Sequence, residues 1–364
     1  MKLFEPLSRD AGAVRARLLD NNFDALRLTF ASMVVLFHIG LLSAAPALGL
    51  LRGYISATFA VQAFFVVSGF LVTMSFENSS SVRSYALKRL RRIAPAYVTV
   101  VLGAAVALVL LSTLSPRAYF AAADFRQYVV YNLMLSNFRA PSLPGVFQSN
   151  PVTAVNGSLW TIKIEVAFYI AVPLIVWAVR RFGYRPVLAA VFVASLAWRV
   201  GLDALSPLPG GDDIYAKLAK QLPGQLAFFA GGAWAYYAAR QGRGPGIWPA
   251  IAGAIAYALS SGLIHEALEP FAVTAIVSWA ALAAPRLPQV GKHGDFSYGV
   301  YLYHFPIVQT CVALGLFAWS AGAAVLIVAI LVLLCSVLSW YLVESPALAR
   351  RASGVHGARR SLAS

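Results

Sequence analysis

Runs of about 20 mostly apolar residues recur from residue 25 to residue 343 with only short interruptions, and no other feature constrains the fold as strongly. A helix of that length crosses the hydrocarbon core of a bilayer with its backbone polar groups paired inside the segment. Composition agrees: 60% of the 364 residues are hydrophobic and 12% are charged, against roughly a quarter charged in a soluble domain. The chain is therefore expected to be an all-α, polytopic membrane helical bundle of about ten transmembrane helices. Their expected spans are 25–46, 54–75, 93–114, 158–179, 186–204, 216–239, 247–263, 268–285, 295–318 and 321–343. The first 22 residues mix Lys2, Arg9, Arg15 and Arg17 with Glu5, Asp10 and Asp20 and lack an apolar core or cleavage site. They read as a cytosolic tail, not a signal peptide. The expected organisation is an N-terminal tail at 1–22, a membrane domain at 23–345 and a cytosolic C-terminal tail at 346–364, with no appended catalytic domain.

A net charge of +15 raises the question of a nucleic-acid partner, which the positions of the charges answer. With the N-terminus inside, most basic residues fall in inner segments, among them Arg83, Lys88, Arg89, Arg91, Arg92, Arg180, Arg181, Arg185, Arg240 and Arg243. Arg52, Arg117, Arg126, Arg139, Arg199, Lys217 and Lys220 fall outside, and Lys163 lies within a span. That bias orients the chain with both termini in the cytosol. The excess charge reads as a topology signal and an attraction to anionic membrane lipids, and no nucleic-acid partner is expected. Cys311 and Cys335 lie inside spans, so neither a disulfide framework nor a metal site is expected. Nothing in the sequence sets an oligomeric state.

Ionisable residues inside spans are costly and mark candidate function. Arg27 and His38 are 11 residues apart on the first helix, nearly three full turns, so they share a side with Asp24. His38 lies roughly 16 Å deeper than Arg27. On the ninth span Ser297, Tyr301 and His304 form one stripe, with Pro306 just beyond. On the fourth, Ser158, Thr161, Glu165 and Tyr169 line one face, while Lys163 points elsewhere and leaves Glu165 to seek a partner on another helix. Arg89 and Arg92, one turn apart in a dense basic run, can face a phosphate together or contact lipid. Ser68-Gly69 puts small residues where a helix or a ligand can approach closely. Residues 115–157 form a long outer segment, of a length that usually carries function. Its apolar part, 128–135, lies along the interface or re-enters.

These segments resemble, in order and topology, the acyltransferase-3 family of integral membrane acyltransferases, from about residue 22 to residue 351. The matching pieces are Arg27 and His38 at ten intervening residues, Phe64-Phe65-Val66-Val67-Ser68-Gly69-Phe70, and Arg89/Arg92 followed by Pro95. The others are Gly157-Ser158-Leu159-Trp160-Thr161 with Glu165 and Tyr169, the stretch from Ser297 to Pro306, and Glu344-Ser345-Pro346. The resemblance implies transfer of an acyl group, commonly acetyl from acetyl-CoA, to a hydroxyl of a carbohydrate such as an exopolysaccharide, an O-antigen or a lipid-linked glycan, in the plasma (inner) membrane of a bacterium.

Acyl-CoA is a polyanionic nucleotide with a long arm ending in a thioester, and a basic cytosolic mouth joined to a deep imidazole suits it. Arg27, Arg89 and Arg92, with Ser68, are expected to hold the donor. His38 is expected to serve as general base or as acyl-carrying nucleophile, with Glu165 and His304 as further catalytic candidates. Trp160, Asn156 and Tyr301 are the candidates for acceptor binding. The competing class is a secondary transporter or glycan flippase with a proton relay, but the inverted repeat many transporters carry is not visible in the sequence.

Overall fold

The computed structural model describes residues 21–206 and 214–349. The expected tails at 1–22 and 346–364 lie largely outside the described residues. The main helices are α1 (Phe23–Leu42), α2 (Ala57–Glu77), α3 (Val82–Ala107), α4 (Ala123–Leu133), α5 (Trp160–Phe182) and α6 (Tyr184–Leu205). They continue with α7 (Leu222–Arg240), α8 (Ile247–Leu259), α9 (Gly262–Leu282), α10 (Ser297–Ala313) and α11 (Ala321–Ser339). No strand occurs among the described residues.

Each of the ten expected spans coincides with a helix, but among the described residues six are both long and apolar enough to cross a membrane. These are α1, α2, α3 with its 3-10 extension to Leu111, α5, α6, and α11 with its continuation to Ala349. The other four fall short for local reasons. α8 has 13 residues and α10 has 17, while α7 and α9 are diluted by Gln225 and three glycines and by His265, Glu266 and Glu269. The basic run at 83–92, expected ahead of the third span, is instead the first part of α3. Arg, Lys, Leu and Ala are good helix formers, so the helix begins at Val82 and carries its charges on its own first turns.

The chain divides into two compact units, each built from three stretches. The first comprises Met1–Phe30, Thr58–Ala86 and Ile164–Gln289. Here α7 packs on α6 and α9, and α8 packs on α9. α2 and α7 approach backbone to backbone. A Cβ on Gly69 would sit 2.0 Å from the Phe229 carbonyl oxygen, and one on Gly232 would sit 1.9 Å from that of Val66. This reciprocal pair is the close approach that small residues permit between membrane helices, and Phe65, Phe168 and Phe229 stack beside it. Gly69→Ala is expected to cost about 2 kcal/mol of stability, read as a lower melting temperature in detergent. An unchanged melting temperature would contradict this packing.

The second unit comprises Ala31–Ala57, Leu87–Lys163 and Val290–Ser364. α10 packs along α11, with Gly299 against Ser336. The stretch 128–135 belongs largely to α4, an 11-residue helix too short to cross a bilayer. Buried Asn132 fixes it, donating to the carbonyls of Tyr128 and Ala140 while its own carbonyl accepts from the Tyr97 hydroxyl. Further on, Gln309 of α10 donates to the carbonyls of Val152 and Ala154 and accepts from Asn150. The long segment is thereby tied to α10.

Candidate active site

Within the second unit, the later turns of α1 and the middle of α10 bring His38 and His304 together, with His304 Nε2 3.0 Å from His38 Nδ1. The surrounding acceptors fix the tautomers. His304 Nδ1 lies 2.7 Å from the Tyr301 carbonyl, which can only accept, so that nitrogen carries the proton and Nε2 of the neutral ring is an acceptor. The hydrogen between the rings is then on His38 Nδ1, which also lies 2.9 Å from the Val34 carbonyl. His38 Nε2 is left with the lone pair. His304 is fully buried and His38 is half-buried, so the accessible ring presents a basic nitrogen while the sealed ring orients it. The Phe305 ring stands edge-on to His38 at 5.1 Å.

Behind the pair, the chain leading into α5 braces α10. Buried Asn156 donates to the Leu302 carbonyl and accepts from the backbone and hydroxyl of Ser158. The Tyr301 hydroxyl bonds to Thr161 Oγ1 at 2.7 Å and donates to the Ser158 carbonyl at 3.2 Å. Gly157 lies against the Phe305 ring, which a Cβ would meet at 2.9 Å. Asn156 and Tyr301, singled out in the sequence for acceptor binding, thus spend their polar groups on the scaffold that holds His304. Trp160 opens α5 half-buried.

At the other end of α10, Arg92 ties three elements together. Its guanidinium pairs with Asp295, just before α10, and with Glu344 at 3.0 Å, and lies over the Tyr298 ring. Glu344 is buried and sits in a single π-helical turn, Trp340–Glu344, that continues α11. Of the three arginines expected at the donor, Arg92 is committed to this clasp, and Arg89 is half-buried one turn earlier on α3.

Arg27, Ser68 and Glu165 belong to the first unit. Arg27 and Ser68 are half-buried on α1 and α2. Glu165 accepts from the Tyr169 hydroxyl at 2.6 Å. The expectation of a partner on another helix is corrected here: the i+4 residue of α5 supplies one, because four residues return to the same helix face.

The same unit holds a cluster around Arg199, which the sequence placed among the outer basic residues. Arg199 of α6 is buried and pairs with both Glu266 and Glu269 of α9. His265 lies 3.4 Å from Glu269, and the Gln62 side chain also bonds to it. The spacing of Glu266 and Glu269 on one face of α9 was the available signal. Their partner on a different helix was not.

The family described as an acyltransferase domain matches residues 20–341. "Nodulation protein 10" of Rhizobium leguminosarum bv. viciae is 27% identical over 92% of this chain and 94% of its own length. "O-acetyl transferase" of Shigella phage Sf6 is 28% identical over 91% of this chain and 96% of its own. No solved structure matches the chain. With the family pattern running through both units and including His38, His304 and the segments that brace them, the chain belongs to the acyltransferase-3 family and is a membrane acyltransferase.

Proposed function

We propose that this enzyme transfers an acetyl group from acetyl-CoA to a hydroxyl of a carbohydrate acceptor, such as an exopolysaccharide, O-antigen or lipid-linked glycan. The observation that carries this reading is the half-buried imidazole of His38, whose Nε2 lone pair is left available by the hydrogen bonds at Nδ1. His38 Nε2 takes the proton of the acceptor hydroxyl as its oxygen attacks the thioester carbonyl. The carbon–sulfur bond then breaks, and the proton passes to the departing thiolate, giving an ester and a free thiol. His304 is a positioning residue. The phage relative named as an O-acetyl transferase supports acetyl as the group and a hydroxyl as its destination.

Four helices beyond the six apolar ones complete about ten spans in this reading. On the same reading the protein lies in the inner membrane of a bacterium with both termini in the cytosol, an orientation that the distribution of basic residues supports. Within the second unit, Arg89 is assigned to the phosphates of the donor and Trp160 to the acceptor. The test is an assay of purified protein with radiolabelled acetyl-CoA, together with mass spectrometry of surface glycans from cells with and without the gene. Loss of one ester in cells lacking the gene is expected, and unaltered glycans with no transfer in vitro would overturn the proposal.

The arginines separate donor binding from scaffold. Arg89→Gln is expected to raise the KM for acetyl-CoA about tenfold, the value of one charge-assisted bond. Arg92→Gln removes the guanidinium that pairs with Asp295 and buried Glu344 and is expected to lower the melting temperature measured in detergent. If Arg89→Gln leaves KM unaltered, the basic run serves lipid contact.

A further inference from the structure

In the first unit, α6, α7 and α9 enclose a groove of about 610 Å³, within the roughly 300–1,000 Å³ usual for ligand sites. Its floor is made shallow by small residues: Ala235 lines it, and Gly231 packs so closely on α9 that a Cβ would meet Thr274 Oγ1 at 2.2 Å. Phe192 and Phe271, in ring contact, form one apolar wall, and Phe271 is 55% exposed.

Polarity falls in steps along the groove. Arg243 stands at one end, exposed, just past the turn that ends α7. Ser278 follows, four residues before the end of α9 and 7% exposed, its Oγ buried and lacking a hydrogen-bond partner in the fold. Thr274 Oγ1, also without a partner, lies one turn deeper, about 6 Å further on. Beyond Thr274 the lining is apolar. From Ala230 to Ala238 the lining of α7 spans about 12 Å, close to the roughly 15 Å of hydrocarbon in one leaflet.

We propose that this groove binds one anionic phospholipid, with its phosphate on Arg243 and one acyl chain against Gly231 and Ala235. Under the topology proposed above the lipid belongs to the cytosolic leaflet. The site is separate from the histidine pair, so its binding test does not depend on the transfer activity.

The full chain, purified in detergent, is titrated with phosphatidylglycerol and in parallel with phosphatidylcholine of the same chains, and bound lipids are counted by native mass spectrometry. One phosphatidylglycerol per chain is expected to be held about tenfold more tightly than phosphatidylcholine, as one charge-assisted contact allows. Arg243→Gln removes that preference, and Ala235→Trp, which fills the floor, removes tight binding of both lipids. Equal retention of the two lipids, or a preference that survives Arg243→Gln, would overturn the site. Arg243 is exposed, so its variant decides the question even if the tryptophan variant does not fold.

Discussion

Replacing His38 with alanine is expected to lower the rate of acyl transfer about a thousandfold, the middle of the range for removal of a general base. The melting temperature should change little, because His38 is half-buried and its departure strands no charge. His304→Leu separates positioning from chemistry. It removes the acceptor for the His38 Nδ1 proton, but Val34 still orients the ring. The expected outcome is a kcat about tenfold lower with an unchanged KM, a smaller loss than that of the base itself. A folded His38→Ala protein that keeps most of its transfer rate, in an assay with radiolabelled acetyl-CoA, would remove His38 from the mechanism.

The largest effect on stability is expected at Arg199. Arg199→Met leaves Glu266 and Glu269 without their cation, with Glu269 3% exposed. Breaking a buried pair on one side costs about 3–5 kcal/mol, whereas replacing the whole set by neutral groups of similar volume is close to neutral. The triple variant Arg199→Met, Glu266→Gln, Glu269→Gln should therefore recover most of the melting temperature that the single variant loses. Thermal unfolding in detergent measures both. A triple variant no better than the single one would show that the cluster acts as something other than a balanced set of charges.

Depth along helices was legible in the sequence, and pairing between helices was not. The 3.6-residue repeat placed Arg27 and His38 on one side of α1 and put His304 at a similar level of α10, because rise per residue is fixed by the backbone. That the two rings bond to each other depends on how α1 and α10 lie in three dimensions, which hydropathy does not encode. The same gap explains Arg92. Its fork and its spacing from Arg89 suggested phosphate, but Asp295 and Glu344 lie 203 and 252 residues away in sequence. Asn156 was read as a reader of sugars because amides suit hydroxyls, yet a buried amide must satisfy its hydrogen bonds locally, and Leu302 and Ser158 supply them. Span number was the other soft point. α7 and α9 trade apolar residues for the glycines and charges that hold the first unit together, so the features that make them good neighbours weaken their hydropathy signal.

α10 can be viewed as a beam clamped at both ends. Near its start Asp295 is gripped by Arg92 and Tyr298 donates to the Ile93 carbonyl. Near its finish Gln309 is pinned by Asn150, Val152 and Ala154, and its middle is propped by Asn156 at the Leu302 carbonyl and by Thr161 at the Tyr301 hydroxyl. Sliding such a member along its axis, even by one residue of about 1.5 Å, would break restraints at every one of these points together. The histidine it carries is a fixed anvil. Under the proposed mechanism, any small displacement within the pair therefore falls to the half-buried His38 ring.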